Sequence, residues 1–121
     1  MKTILVVDDV RAELLMISAL LANAGFNVAK AETAEQAWKW LKNNPAPNLI
    51  LLDIIMPGES GLDLCRKIRS HSEWEETPIL FCSLKSENFD RFWALRQGGN
   101  EYITKPFAPQ ELVDTVVKHV K

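Results

Sequence analysis

The 121-residue sequence is predicted to fold as one α/β domain, a doubly wound sheet of five parallel strands with helices on both faces. Two observations favour this fold class. Short apolar runs alternate along the chain with segments in which apolar residues recur every three or four positions, the spacing of an amphipathic helix. The clearest runs contain no polar residue, which is typical of strands that are buried on both faces of a parallel sheet. Parallel strands need right-handed crossovers, so the same alternation predicts where the helices lie.

Five segments are predicted to be strands: residues 4–7, 27–30, 49–52, 79–82 and 102–103. The first, third and fourth segments are wholly apolar, and each stops at a polar side chain, which is Asp8, Asp53 or Ser83. The fifth segment is weaker and is followed by Thr104, Lys105 and Pro106.

The first two helices have recognisable ends. Helix one carries an apolar stripe and should end at Gly25, a residue that suits the left-handed conformation after a helix. Helix two should begin with a capping box formed by Thr33 and Gln36. Trp38 is expected in the core, whereas Trp40 lies about 200° further round the helix and should be partly exposed.

Three more helices are predicted, over residues 61–70, over residues 86–97 approximately, and from Pro109 onwards, where proline suits the first helical turn. The residues expected on their buried faces are Leu62, Cys65 and Ile68 in the third helix and Val113, Val116, Val117 and Val120 in the fifth.

Composition narrows the class of function. The net charge is −2 and no basic run is present, so nucleic-acid binding has no electrostatic support. No apolar stretch is long enough to cross a bilayer, and Met1 leads straight into a strand without a signal peptide. The two cysteines lack the spacing of a metal site. We therefore expect a cytoplasmic, single-domain protein over residues 1–121, with no room for an output domain after the last helix.

Chemically active side chains follow the strands. Because the carboxyl ends of parallel strands meet at one sheet edge, Asp8, Asp9, Asp53, Ser83 and Lys105 should lie close together. Three crowded carboxylates repel each other unless a cation lies among them, and Mg²⁺ prefers a small set of carboxylate oxygens. A carboxylate nucleophile, a metal ion and a lysine together are typical of an acyl-phosphate site.

The motifs carry a family resemblance. The segments 6–9 (VVDD), 52–58 (LDIIMPG) and 102–107 (YITKPF), together with Ser83, resemble the receiver domains of two-component response regulators along the whole chain. The resemblance implies a flavodoxin-like (βα)5 fold with the CheY-like strand order 2-1-3-4-5. It also implies a histidine kinase as phosphodonor and a downstream target, such as a motor or scaffold protein, for a protein that is a monomer or a weak dimer.

The resemblance assigns roles around the metal. Asp53 matches the phosphoacceptor, Asp9 the direct Mg²⁺ ligand, and Asp8 the carboxylate that acts mainly through water. The backbone carbonyl of Ile55 matches the remaining protein ligand. Such a receiver would be no enzyme in the usual sense, because it only transfers phosphate to itself and loses it again.

The resemblance also assigns the switch. Ser83 matches the switch hydroxyl, Tyr102 the switch aromatic, and Lys105 the lysine that contacts the phosphoryl group, with a cis bond to Pro106. Receivers of this family signal through the face formed by helix four, strand five and helix five. Trp93 and Tyr102 are therefore candidates for a partner-binding face.

Three readings of the pathway are open. Segments 53–58 and 93–98 are similar to twitching-motility receivers of the PilH type, which favours chemosensory control of type IV pili. The chain could instead serve another pathway as a phosphate sink. A hydrolase of the haloacid dehalogenase type is disfavoured, because that pattern needs a second Asp two residues after the first, and Val10 stands two residues after Asp8.

Two positions depart from the family pattern. Leu84 follows the switch hydroxyl where a small residue is usual, and Ile55 replaces a polar side chain that often orients the attacking water. We expect both residues to make the site drier, and Leu84 to limit the inward rotation of Tyr102.

Overall fold

The computed structural model describes residues 1–84 and 88–121, with side chains omitted for 88–90. Five strands and five helices alternate along the chain. They are β1 (Thr3–Val7), α1 (Arg11–Asn23), β2 (Asn27–Ala31), α2 (Ala34–Asn43), β3 (Leu49–Leu52), α3 (Gly61–Arg69), β4 (Ile79–Ser83), α4 (Asn88–Arg96), β5 (Glu101–Thr104) and α5 (Pro109–His119). A 3₁₀ turn at Ser72–Trp74 precedes β4. The predicted start of helix four near Ser86 lies outside the described residues.

All neighbouring strands are parallel, and their order is β2-β1-β3-β4-β5, as predicted. The chain order reverses beside β1, which is flanked by β2 and β3. In sheets of this kind the crevice outside the carboxyl ends of the strands at such a reversal binds ligands. Val7 of β1 pairs with Leu52 of β3, so the residues that follow them, Asp8 and Asp53, emerge side by side.

The sheet separates two apolar layers. Residues 4–7 of β1 and all residues of β3 are at most 1% exposed, and alternate side chains enter opposite layers. Ile50 and Leu52 pack with α2 and α3, whereas Leu49 and Leu51 pack with α1 and α5. Burial on both sides explains why these strands read as continuous apolar runs.

Most predicted helix ends are confirmed. Gly25 has φ +98° after α1, and Thr33 caps α2 by accepting a hydrogen bond from the Gln36 amide at 3.0 Å. The Gln36 side-chain oxygen in turn accepts a hydrogen bond from the amide of Glu32, and not from the amide of Thr33 as in a standard capping box. Pro109 occupies the first turn of α5.

Some predicted inner faces are wrong by about one residue. Val117 is 57% exposed and Leu112 is fully buried in its place, because the buried stripe of α5 follows Leu112 and Val116. Leu62 is only partly buried, since Leu64, Cys65 and Ile68 form the stripe of α3. Trp38 is likewise only half-buried, and it packs at the edge of the core against Trp74 with ring centroids 5.3 Å apart.

At the end of the sheet opposite the carboxyl ends, the side chain of Arg69, the last residue of α3, connects α3 to the segments that precede β4 and β5. Its guanidinium donates hydrogen bonds to the carbonyl oxygens of Trp74, Thr77 and Gly98 and to the side-chain oxygen of Asn100, at 2.7–2.9 Å. We refer to these contacts as the Arg69 cluster. It ties the loops before β4 and β5 to α3.

Candidate phosphoacceptor site

Three carboxylates meet at the carboxyl edge of the sheet, as predicted. Oxygen atoms of Asp8, Asp9 and Asp53 lie within 4.8 Å of one another. Asp8 and Asp53 are 2% and 7% exposed, and Asp9 is partly exposed. Asp53 extends from β3 after its amide bonds to the Val7 carbonyl at 3.0 Å, so the pairing of β3 with β1 fixes its position. Asp8 also accepts a bond from the Val10 amide at 2.9 Å, which orients its carboxylate at the start of α1.

Within the described residues, Lys105 supplies the single ammonium that contacts these acids. Its Nζ lies 2.8 Å from Oδ2 of Asp8 and 3.5 Å from Oδ2 of Asp53, and the side chain is 6% exposed. The Lys105 amide donates to the Ser83 carbonyl at 2.9 Å, which aligns the end of β5 with that of β4. The Lys105–Pro106 bond is cis, as the resemblance implied.

Glu13 is a member of this site that sequence reasoning missed. One of its carboxylate oxygens lies 2.5 Å from Lys105 Nζ, closer than either aspartate. Glu13 lies in the first turn of α1, five residues after Asp8, and its side chain is 34% exposed. Its place in that turn was the available signal, because the turn begins beside the acidic pair.

The charges at the site act on each other. Burial raises the pKa of the Asp53 carboxyl above its ordinary value; Lys105 opposes the rise, whereas Asp8 and, more weakly, Asp9 add to it. Burial alone would lower the pKa of Lys105, but hydrogen bonds to Asp8 and Glu13 and the Asp53 charge outweigh it and raise that pKa. Among the described residues, Lys105 therefore contacts three carboxylates while protonated, and Asp9 lies beside two of them, so acids outnumber the ammonium and negative charge is in excess.

The carboxylate oxygens of Asp8, Asp9 and Asp53 are suitable ligands for a divalent cation such as Mg²⁺. Mg²⁺ binds through one or two carboxylates plus water and phosphate oxygens, so the donor set and its excess charge suit it. Ile55, whose carbonyl was predicted as a further ligand, follows Asp53 by two residues in the same loop, with its side chain 56% exposed.

The predicted switch residues lie at the ends of the next two strands. Ser83 ends β4 and is 1% exposed. Tyr102 of β5 is 6% exposed, and the Arg91 guanidinium lies over its ring, 5.4 Å from the centroid. Leu84 is 70% exposed. That Leu84 limits the inward rotation of Tyr102 stays a prediction.

The candidate partner face is partly apolar. Phe92, Trp93 and Leu95 of α4 are each more than two-fifths exposed, and the rings of Phe92 and Trp93 pack edge to face at 6.5 Å. Tyr102, the second candidate on this face, is buried in this conformation and offers little surface to a partner.

The fold and this acidic site are typical of a receiver domain of the two-component type. The chain matches the family described as response regulator receiver domain over residues 4–117. It belongs to that family.

The similarity extends to whole proteins and to solved structures. Protein PilH of Pseudomonas aeruginosa is 33% identical over 116 residues, which cover 96% of this chain and 95% of that protein. Chemotaxis protein CheY4 of Vibrio cholerae superposes with a TM-score of 0.93 at 26% identity, with 99% of both chains covered. Response regulator TrrA of Thermotoga maritima, solved in complex with Mg²⁺-BeF, has a TM-score of 0.88 at 31% identity and covers 99% of this chain and 100% of its own.

Other relatives are longer. The phosphate regulon regulator PhoB of Pseudomonas aeruginosa is 39% identical over 112 residues, which cover 93% of this chain and 48% of PhoB. The chain thus spans about half the length of several curated relatives that it matches. The helices in the described part of the chain are too short or too polar to cross a membrane.

Proposed function

We propose that the protein accepts a phosphoryl group from a histidine kinase on Asp53 and thereby changes its affinity for a target protein. The observation that carries this proposal is the position of Asp53 beside both the acidic pair and Lys105, at the carboxyl edge next to the reversal in strand order. A carboxylate needs no base to act as a nucleophile, so the remaining work is positioning and charge neutralisation.

Asp8, Asp9, Asp53 and the Ile55 carbonyl would hold Mg²⁺. When bound, the ion supplies positive charge for the phosphoryl oxygens as transfer proceeds. The short loops that start α1 and follow β3 place these oxygens, and the rigid sheet holds both loops. The Lys105 ammonium lies 3.5 Å from the Asp53 carboxylate and would contact a phosphoryl oxygen.

Ser83 and Tyr102 would transmit the change. The Ser83 hydroxyl ends the strand beside β3 and would donate a hydrogen bond to a phosphoryl oxygen. We infer that movement of this strand end favours the buried position of Tyr102 and alters the face that includes Trp93. That surface would bind the target, and a phenylalanine, a tryptophan and a leucine give it the apolar area that interfaces use as anchors.

The match to PilH over 95% of that protein supports a receiver in a chemosensory pathway for pilus motility, the pathway that the resemblance favours. Its role as a phosphate shuttle or sink within such a pathway depends on the lifetime of the phosphoryl group.

The test is labelling by a small phosphodonor. Purified protein with acetyl phosphate and Mg²⁺ should gain one phosphoryl group, measured by intact mass, and Asp53→Asn should gain none. Glu59→Gln, which alters an acid in the loop after Asp53, serves as the matched control and should label normally. Undiminished labelling of Asp53→Asn would reject the assignment, and so would a Mg²⁺-independent rate.

A further inference from the structure

We propose that Glu13 is a positioning residue that holds Lys105 away from Asp53 and so opposes phosphoryl binding. The inference rests on the proposed function of Asp53. It assigns a role to a carboxylate that is separate from the acidic pair and from the phosphoacceptor.

The distances around the ammonium carry the argument. Lys105 Nζ has three N–H donors, and its neighbours lie at 2.5 Å (Glu13), 2.8 Å (Asp8) and 3.5 Å (Asp53). Only the first two are hydrogen bonds, so the contact to the phosphoacceptor is the loosest of the three. The shortest contact of Lys105 is therefore with Glu13, a residue that is in neither the acidic pair nor the phosphoacceptor loop.

The surroundings allow the pair to separate. Glu13 and Lys105 both line a cavity of about 180 Å³, together with Leu84 and Pro106. Glu13 is 34% exposed, whereas Lys105 is 6% exposed. Once released, the carboxylate can turn towards solvent, and the buried ammonium can move only within the site.

Charge gives the sign of the effect. A phosphoryl group and Glu13 compete for one ammonium, so the Glu13 charge should weaken phosphoryl binding. The same charge holds Lys105 back from Asp53, which leaves that carboxylate freer to bind a cation, so it should strengthen cation binding there. Neutralising Glu13 should thus have opposite effects on an anion and on a cation. Loss of structure alone would weaken both.

The experiment titrates Mg²⁺ alone and then beryllofluoride at saturating Mg²⁺, each followed by amide NMR shifts. Glu13→Gln keeps the length of the side chain and removes its charge. We expect about a fivefold gain in beryllofluoride affinity and about a fivefold loss in Mg²⁺ affinity, the scale of a partly exposed ion pair. Glu35→Gln, which changes the acid in the first turn of α2, should leave both constants at the wild-type value.

A double-mutant cycle on Mg²⁺ binding separates action through Lys105 from direct charge repulsion. Glu13→Gln should change the Mg²⁺ affinity less in a Lys105→Met background than in the wild type. Equal changes in both backgrounds would overturn the inference, and so would unchanged or jointly weakened binding in the single variant. Wild-type protein that binds no beryllofluoride would instead refute the proposed function, and this inference with it.

Discussion

Replacing Lys105 with methionine should destabilise the metal-free protein strongly. Methionine keeps most of the apolar stem and removes the ammonium, so the change leaves Asp8 and Asp53, at 2% and 9% side-chain exposure, without their cation. The Lys105–Asp8 attraction at 2.8 Å is about 6 kcal/mol at an effective dielectric constant of roughly 20. Structural relaxation and proton uptake by the acids recover part of this energy, and removing one partner of a buried ion pair typically costs about 3–5 kcal/mol. For a domain of this size that is a fall in Tm of about 10–20 °C.

Urea unfolding at pH 7, with and without Mg²⁺, measures the effect. The matched control is Lys39→Met, which removes a lysine that is 69% exposed and pairs with Glu35 at 3.6 Å. That change should cost no more than about 0.5 kcal/mol. Mg²⁺ should restore stability to Lys105→Met more than to the wild type, because it then neutralises acids that have no other partner. A Lys105→Met protein as stable as the control without Mg²⁺ would show that the ammonium does not offset the repulsion among these acids.

Three further predictions concern the same edge of the sheet. Because the pKa of Asp53 is raised in the folded state, its contribution to stability is lost as pH rises above its ordinary value of 3.8. Asp53→Asn should then be more stable than wild type at pH 7 without Mg²⁺, with the gain shrinking towards pH 4; a constant gain in thermal melts would contradict the shift. Gly61→Ala should cost about 2 kcal/mol or more and slow labelling, since its Cβ would lie 1.9 Å from the Asp53 carbonyl oxygen; an unchanged urea midpoint would count against that contact. Leu84→Ala and Ile55→Asn should each speed loss of phosphate about severalfold by admitting or holding the attacking water; decay at the wild-type rate in both would limit these residues to packing.

The sequence was sufficient to predict the fold because patterns typical of strands and of helices alternate along the whole chain. Continuous apolar strands such as β3 can only be buried on both faces, and their polar ends then converge without any knowledge of the loops. The buried face of α5 was less predictable, since Val113, Val116 and Val117 are equally apolar and only packing against the sheet exposes Val117.

The candidate site also contains residues that the sequence could predict and one that it could not. Asp8, Asp9 and Asp53 could be predicted to meet because they follow paired strands directly. Glu13 could not, because a glutamate in the first turn of a helix is common for reasons of helix stability alone. Its contact with Lys105 depends on how the first turn of α1 lies beside the loop after β5, and the two residues are 92 positions apart in the chain.

The Arg69 cluster has a mechanical consequence for α4. The C-terminal end of that helix is held to α3, since the Gln97 side chain accepts a bond from Arg66 at 2.8 Å and the Gly98 carbonyl accepts one from Arg69 at 2.9 Å. Ahead of this anchor, the Arg91 guanidinium donates a hydrogen bond to the Thr104 hydroxyl at 3.1 Å, so a push from β5 turns the helix about its C-terminal end. Small shifts at Ser83 would therefore tilt α4 rather than translate it. Trp93, one turn from the anchored end, would rotate in place and present a different edge of its ring to solvent.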